Sequence, residues 1–187
     1  MKKEVTPKDQ VFQTASRLFY QHGYRAIGVD TIAAESGIGK MTLYRHYPSK
    51  DDLITAYLKD SDELFWRNFE ELTKDANSPH EKLLAFFESL QEYVKTPACY
   101  GCPFLNVATE YPETDYPGHR VAIEHKQSVR ARFRQLAKEA GAKKPDAPLS
   151  LEVRVRKHSL QKLTCQLQCH ALCCMLGWAR RLCRHNP

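Results

Sequence analysis

The chain has 187 residues, 42% hydrophobic and 27% charged, with 28 Lys and Arg against 22 Asp and Glu. That balance supports a packed core and excludes general disorder, and no apolar run approaches the roughly 18–20 residues that span a bilayer. The net charge of +6 is laid out unevenly: residues 1–50 carry 8 basic and 4 acidic side chains, residues 51–147 carry 13 and 17, and the last 40 residues carry 7 and 1.

In chain order the hydrophobic spacing predicts helices almost throughout, an all-α fold. A first helix over residues 8–22 aligns Val11, Ala15, Leu18 and Phe19, with Thr6 as its cap, Pro7 at its first position and Gly23 as its stop. Two short helices are expected at 29–36 and 40–47, broken by Gly37-Ile38-Gly39. Pro48 ends the third, and Ser49 with Asp52 three residues later opens a fourth to about residue 74, with Leu53, Tyr57, Leu64, Phe65, Phe69 and Leu72 on its apolar side. A fifth covers about 80–94, with Leu83, Leu84, Phe87 and Leu90 inward. Residues 95–103 read as a loop, 104–111 as a short helix, 112–118 as a turn, and 120–140 as a long helix ended by Gly141.

Residues 28–50, GVDTIAAESGIGKMTLYRHYPSK, have helix-turn-helix spacing. Two short helices that cross steeply need a small residue at the crossing, here Ala33, and a positive φ in the tight turn, which Gly37 adopts cheaply. Ile32, Ile38 and Leu43 then pin the second helix inward and leave Lys40, Met41, Thr42, Tyr44, Arg45 and His46 for an outer or flanking surface. Such a surface suits a DNA major groove. Lys40 fits a guanine edge and Met41 a thymine methyl, while Thr42, Tyr44 and His46 suit backbone phosphates. Lys50 adds a phosphate-attracting cation at the start of the fourth helix, opposed in part by Asp51 and Asp52.

The segment FYQHGYRAIGVDTIAAESGIGKMTLYRHYPSKDDLITAYL resembles the N-terminal domain of TetR-type (tetracycline-repressor-type) transcriptional regulators, closely over about residues 8–58. Gly101-Cys102-Pro103-Phe104 and Glu110 resemble a subset of that family, extending the likeness to about residue 146. The resemblance implies a three-helix DNA-binding domain at 6–50, a helical regulatory domain at 51–147, and a homodimer on double-stranded DNA with a palindromic operator. It further implies a repressor released by a small-molecule effector, whose identity the sequence leaves unknown. It carries recognition-helix roles onto Lys40, Met41, Thr42, Tyr44 and His46, and a phosphate role onto Lys50.

Trp66, Phe87, Phe104 and Glu110 are candidates for an effector pocket, which is usually apolar with a few polar groups; core packing accounts for the same aromatic residues. Cys99 and Cys102 have the spacing of a redox pair or of half a zinc site, and packing as small apolar residues is the alternative for both. No enzyme is expected, because there is no phosphate-binding glycine loop, nucleophile elbow or His-Glu metal helix. No cofactor, metal or membrane partner is expected either. Met1-Lys2-Lys3-Glu4 leads into polar sequence without an apolar export segment, so a cytoplasmic location follows. A thiol- or metal-responsive regulator and a helical interaction protein with impaired dimerisation are the competing functions.

The last segment, 148–187, is basic and holds Cys165, Cys169, Cys173, Cys174 and Cys183, five of the seven cysteines. Residues 149–156 alternate in a strand-like period, and 159–182 align as a helix with no acidic residue. The break in composition at about Pro148 points to a change of reading frame or to a divergent dimerisation helix.

Overall fold

The computed structural model describes residues 5–142, and the expectations for 148–187 lie outside those residues. The fold is all-α: among the described residues there are α1 (Pro7–His22), α2 (Val29–Ser36), α3 (Lys40–His46), α4 (Lys50–Thr73), α5 (Pro79–Tyr93), α6 (Pro103–Glu110) and α7 (Pro117–Glu139), with no strand. No helix among them is long and apolar enough to cross a membrane.

Local chemistry sets most helix ends. Thr6 Oγ1 accepts from the Asp9 amide at 3.2 Å, and Asp9 Oδ2 accepts from the Thr6 amide at 3.2 Å, a reciprocal cap for α1. Ser49 Oγ accepts from the Asp52 amide at 3.0 Å at the head of α4, and Ser78 Oγ does the same for the Glu81 amide at 3.2 Å at the head of α5. Gly23 stops α1 at φ 86°, but its ψ of 168° is extended, so the chain leaves the helix directly for Tyr24. Tyr47 turns extended before Pro48, whose ring disfavours helix in the preceding residue, and α3 therefore closes at His46, one residue short of expectation. α7 begins three residues earlier than its periodicity suggested, at Pro117, because proline is preorganised for a first helical position.

Two compact units emerge. The first joins residues 5–62 to Pro103–Ile123. In it α1 packs on α2 and α3, and Val11, Ala15, Leu18, Phe19, Ile32, Leu43, Leu53, Ile54 and Leu58 are buried. Tyr24 is 1% exposed, lies 5.5 Å from the Phe19 ring and 6.1 Å from that of Tyr57, and donates its hydroxyl to the Pro103 carbonyl at 2.9 Å. α6 contributes Phe104 and Val107 to the buried set. Gly118 sits so close to its neighbours that a Cβ there would lie 2.8 Å from Tyr116 Cε1, 3.2 Å from Val107 Cγ2 and 3.3 Å from Leu58 Cδ1. The Tyr116 ring is stacked and hydrogen-bonded, so it has little room to yield. Gly118→Ala is accordingly expected to lose about 1–2 kcal/mol in urea unfolding, overpacking outweighing the gain in helix propensity.

The second unit joins Glu63–Cys102 to residues 124–142. Its core is Phe69, Leu83, Phe86, Phe87, Phe133 and Leu136, flanked by Phe65, Trp66, Leu84, Leu90, Val94 and Val129. Ring centroids lie 4.9 Å apart for Phe86 and Phe133 and 5.7 Å apart for Phe69 and Phe133, tilted or edge-on as aromatic quadrupoles prefer. Leu64 and Leu72, expected on the apolar side of α4, are each 43% exposed; Phe69 is buried there as expected, and Thr73, which was not expected, is buried with it.

Candidate nucleic-acid interface

The helix-turn-helix forms as its spacing requires. Gly37 takes the left-handed conformation, φ 68° and ψ 12°, and its amide donates to the Ala34 carbonyl at 3.3 Å. Gly39 starts α3, its carbonyl accepting from the Thr42 and Leu43 amides at 2.9 and 3.1 Å. Ile32 and Leu43 are fully buried, so they fix the rotation of α3 about its axis. Ala33 and Ile38 are half-buried at the crossing.

That rotation presents the side chains expected to face outward. Met41 is 85% exposed, an unusual position for a large apolar side chain. Lys40, Tyr44 and Arg45 are exposed, while Thr42 and His46 are half-buried at the margins. Lys40 carries a partner that spacing alone did not disclose: its ammonium pairs with Asp30 in the first turn of α2. The hydrogen bond and the charge of Asp30 raise the Lys40 pKa above the ordinary lysine value, so the ammonium stays charged. A second exposed pair, Arg17 with Glu35 at 2.5 Å, ties α1 to α2.

The same unit carries a polar block that ties its segments together. The Arg25 amide donates to Glu110 Oε2 at 2.7 Å, and the Arg25 guanidinium lies 4.8 Å from the Tyr111 ring centroid. Tyr111 stacks on Tyr116 at 4.2 Å and 11°. The Tyr116 hydroxyl donates to Asp51 Oδ1 at 2.9 Å, and His119 Nδ1 lies 2.9 Å from the Tyr111 carbonyl oxygen. Burial, reinforced by the Asp51 hydrogen bond, pushes the Tyr116 phenol far above its ordinary range and keeps it a neutral donor. The two aspartates that open α4 are thus occupied, Asp51 by Tyr116 and Asp52 by the Ser49 hydroxyl at 2.6 Å. Lys50 is half-buried; desolvation lowers its pKa, with Asp51 and Glu110 opposing and Arg25 reinforcing the shift.

The block gives Glu110 a local task, accepting the Arg25 amide. Glu110→Ala is expected to cost about 1 kcal/mol, read as a lower urea midpoint with unchanged far-ultraviolet helicity. The other pocket candidates divide between the units. Phe87 belongs to the second unit's core with Trp66 packed against it, and Phe104 is buried within the first unit. A groove of about 670 Å³ on the second unit is lined by Arg67, Asn68, Glu70, Glu71, Thr73, Lys74 and Lys82, a polar set distinct from the aromatic candidates. Cys99 and Cys102 are partly exposed thiols, neither in a disulfide. Among the described residues no group of three or more His, Cys, Asp and Glu is placed to hold a metal ion.

An amphipathic α1, a turn opened by a left-handed glycine, and a short outward-facing α3 together define a helix-turn-helix protein with an all-α body. Comparison with known proteins narrows the class. Residues 11–57 match the family model described as bacterial regulatory proteins of the tetR family, and residues 79–147 match a tetracyclin repressor-like C-terminal domain. The chain belongs to the TetR family of transcriptional regulators. It is 30% identical over 88 residues to the HTH-type transcriptional repressor KstR2 of Mycolicibacterium smegmatis, covering 47% of this chain and 43% of that protein. It is also 30% identical over 94 residues to an HTH-type transcriptional regulator of Staphylococcus aureus, covering 50% and 51%. These matches span about half the length of the curated relatives. Among solved structures, a TetR-family regulator from Streptomyces coelicolor superposes with a TM-score of 0.76 at 26% identity over 92% of this chain and 95% of that one. A putative regulator of the same type from Streptomyces avermitilis gives 0.70 at 27% identity, covering 93% and 88%.

Proposed function

We propose that the protein is a sequence-specific DNA-binding transcriptional regulator, a repressor by its kinship with KstR2, and not an enzyme. The observation that carries this reading is α3: a short helix whose buried Leu43 turns Lys40, Met41, Tyr44 and Arg45 to solvent. On DNA, Lys40 and Met41 read base edges. Thr42, Tyr44, Arg45, His46 and Lys50 meet the phosphates. Lys50 contributes least, since it is half-buried and its charge already interacts with the carboxylates of Asp51 and Glu110. Two copies in the cytoplasm bind a palindromic operator with two-fold symmetry, and an effector of unidentified chemistry releases them. The domain divisions are 6–50 for DNA, 51–147 for regulation, and 148–187 for a segment of altered register or divergent dimerisation. The C-terminal family match ends at residue 147, where the charge and cysteine content change.

Titration of a labelled duplex against the protein at rising salt tests the reading. Counterion release predicts that log K falls linearly with log salt, with a shallower slope for Arg45→Ala. Binding that ignores salt, or a slope unmoved by that substitution, contradicts the placement of α3 on DNA.

A further inference from the structure

One pair of side chains in the second unit has no part in the DNA surface. Lys126, exposed on α7, donates its ammonium to Cys102 Sγ at 3.4 Å. Cys102 is a partly exposed thiol in no disulfide, and Cys99, three residues earlier, is likewise partly exposed and in no disulfide. Cysteines that merely pack are buried among apolar groups and inert, whereas reactive ones occupy electropositive, partly exposed places. A second thiol at this spacing supplies what a single reactive cysteine lacks, a resolving partner close in the chain.

We propose that Cys102 is a hydroperoxide-oxidisable thiol, with Lys126 as its cation and Cys99 as the resolving thiol. The Cys102 sulfur attacks the distal oxygen of the hydroperoxide. An S–O bond forms, the O–O bond breaks, and the sulfur gives up two electrons to the peroxide. The proton lost from Cys102 reaches the leaving oxygen through Lys126 or water, which releases water or an alcohol and leaves a sulfenic acid. Cys99 then attacks the Cys102 sulfur: the S–S bond forms, the S–O bond breaks, and hydroxide leaves as water with the Cys99 proton. Cys102 is bonded to Pro103, whose carbonyl oxygen holds the hydroxyl of the buried Tyr24. A disulfide that draws on Cys102 therefore loads a hydrogen bond inside the helix-turn-helix unit.

Peptide mapping of the full chain tests the site. The tryptic peptide 96–120 contains Cys99 and Cys102 and no other cysteine. After brief exposure to hydrogen peroxide and trapping with an alkylating reagent, that peptide is expected to be unalkylated and short of two hydrogens. In Cys102→Ser, Cys99 is expected to remain alkylatable. Lys126→Met is expected to slow the loss of thiols about tenfold, and Lys126→Arg to keep most of the rate. A fully alkylated 96–120 peptide, or a Lys126→Met rate equal to that of the unchanged protein, overturns the proposal.

A DNA arm rests on the function proposed above: oxidised protein is expected to bind a duplex several-fold more weakly than reduced protein, reversibly with a dithiol reductant. Equal affinities of the two forms overturn the link from thiol to DNA. A reduced protein that binds no DNA counts against the proposed function and leaves the peptide result standing.

Discussion

Phe133→Ala is expected to lower the unfolding free energy by about 3–5 kcal/mol. Phe133 is 5% exposed and faces three other rings, with centroids 4.9 Å away for Phe86, 5.6 Å for Phe87 and 5.7 Å for Phe69. Truncation removes the transfer energy of the ring and leaves a void that three rigid aromatic neighbours cannot refill by changing rotamer. Set against a total stability of about 5–15 kcal/mol for a typical domain, the loss is a large fraction. Urea unfolding followed by circular dichroism measures it, with Phe133→Leu as the milder companion. A loss below about 1 kcal/mol for Phe133→Ala contradicts the packing described for the second unit.

The second large effect concerns α3, where Lys40→Ala and Asp30→Asn are expected to move DNA binding in opposite directions. If Lys40 reads a base edge as proposed, Lys40→Ala lowers affinity for the selected operator on the order of tenfold to a hundredfold and relaxes discrimination at one position of each half-site. On the proposed reading Asp30 acts against DNA in two ways: it pairs with the Lys40 ammonium and keeps an exposed carboxylate beside the start of α3. Its neutralisation in Asp30→Asn therefore strengthens binding to operator and unrelated duplex alike. Fluorescence anisotropy with both duplexes reads the two effects. A folded Asp30→Asn protein that binds more weakly would mean that Asp30 presents Lys40 to the base rather than restraining it.

Features decided within a few residues were legible in the sequence. The Thr6 cap, the Ser49–Asp52 cap, the left-handed Gly37 and the burial of Leu43 each follow from neighbours in the chain or from helical period. Contacts made across long stretches of chain were not. Tyr24 reads as a loop residue until Pro103 supplies a carbonyl 79 positions away. Tyr116 and Asp51 are 65 apart, and Arg25 and Glu110 are 85 apart; no periodicity marks any of these partners. Along α4, Leu64 and Leu72 share a helical stripe with inward residues, yet both are half-exposed, because burial depends on which neighbours pack there and not on the stripe alone. The Asp30–Lys40 pair was the nearest miss. An acidic residue close to α3 is visible in the sequence, but which side of α2 it occupies depends on how Ile32 is buried.

Selection of bound duplexes from a random DNA library tests the central claim most directly, because it reports binding, sequence preference and symmetry together. A TetR-family regulator that reads DNA through α3 as a two-fold pair should enrich a palindrome whose half-sites are centred about one helical turn, roughly 10 base pairs, apart or a multiple of it. Recovery of no preferred sequence, or of an enriched site that Lys40→Ala and Tyr44→Ala leave unchanged, would contradict it.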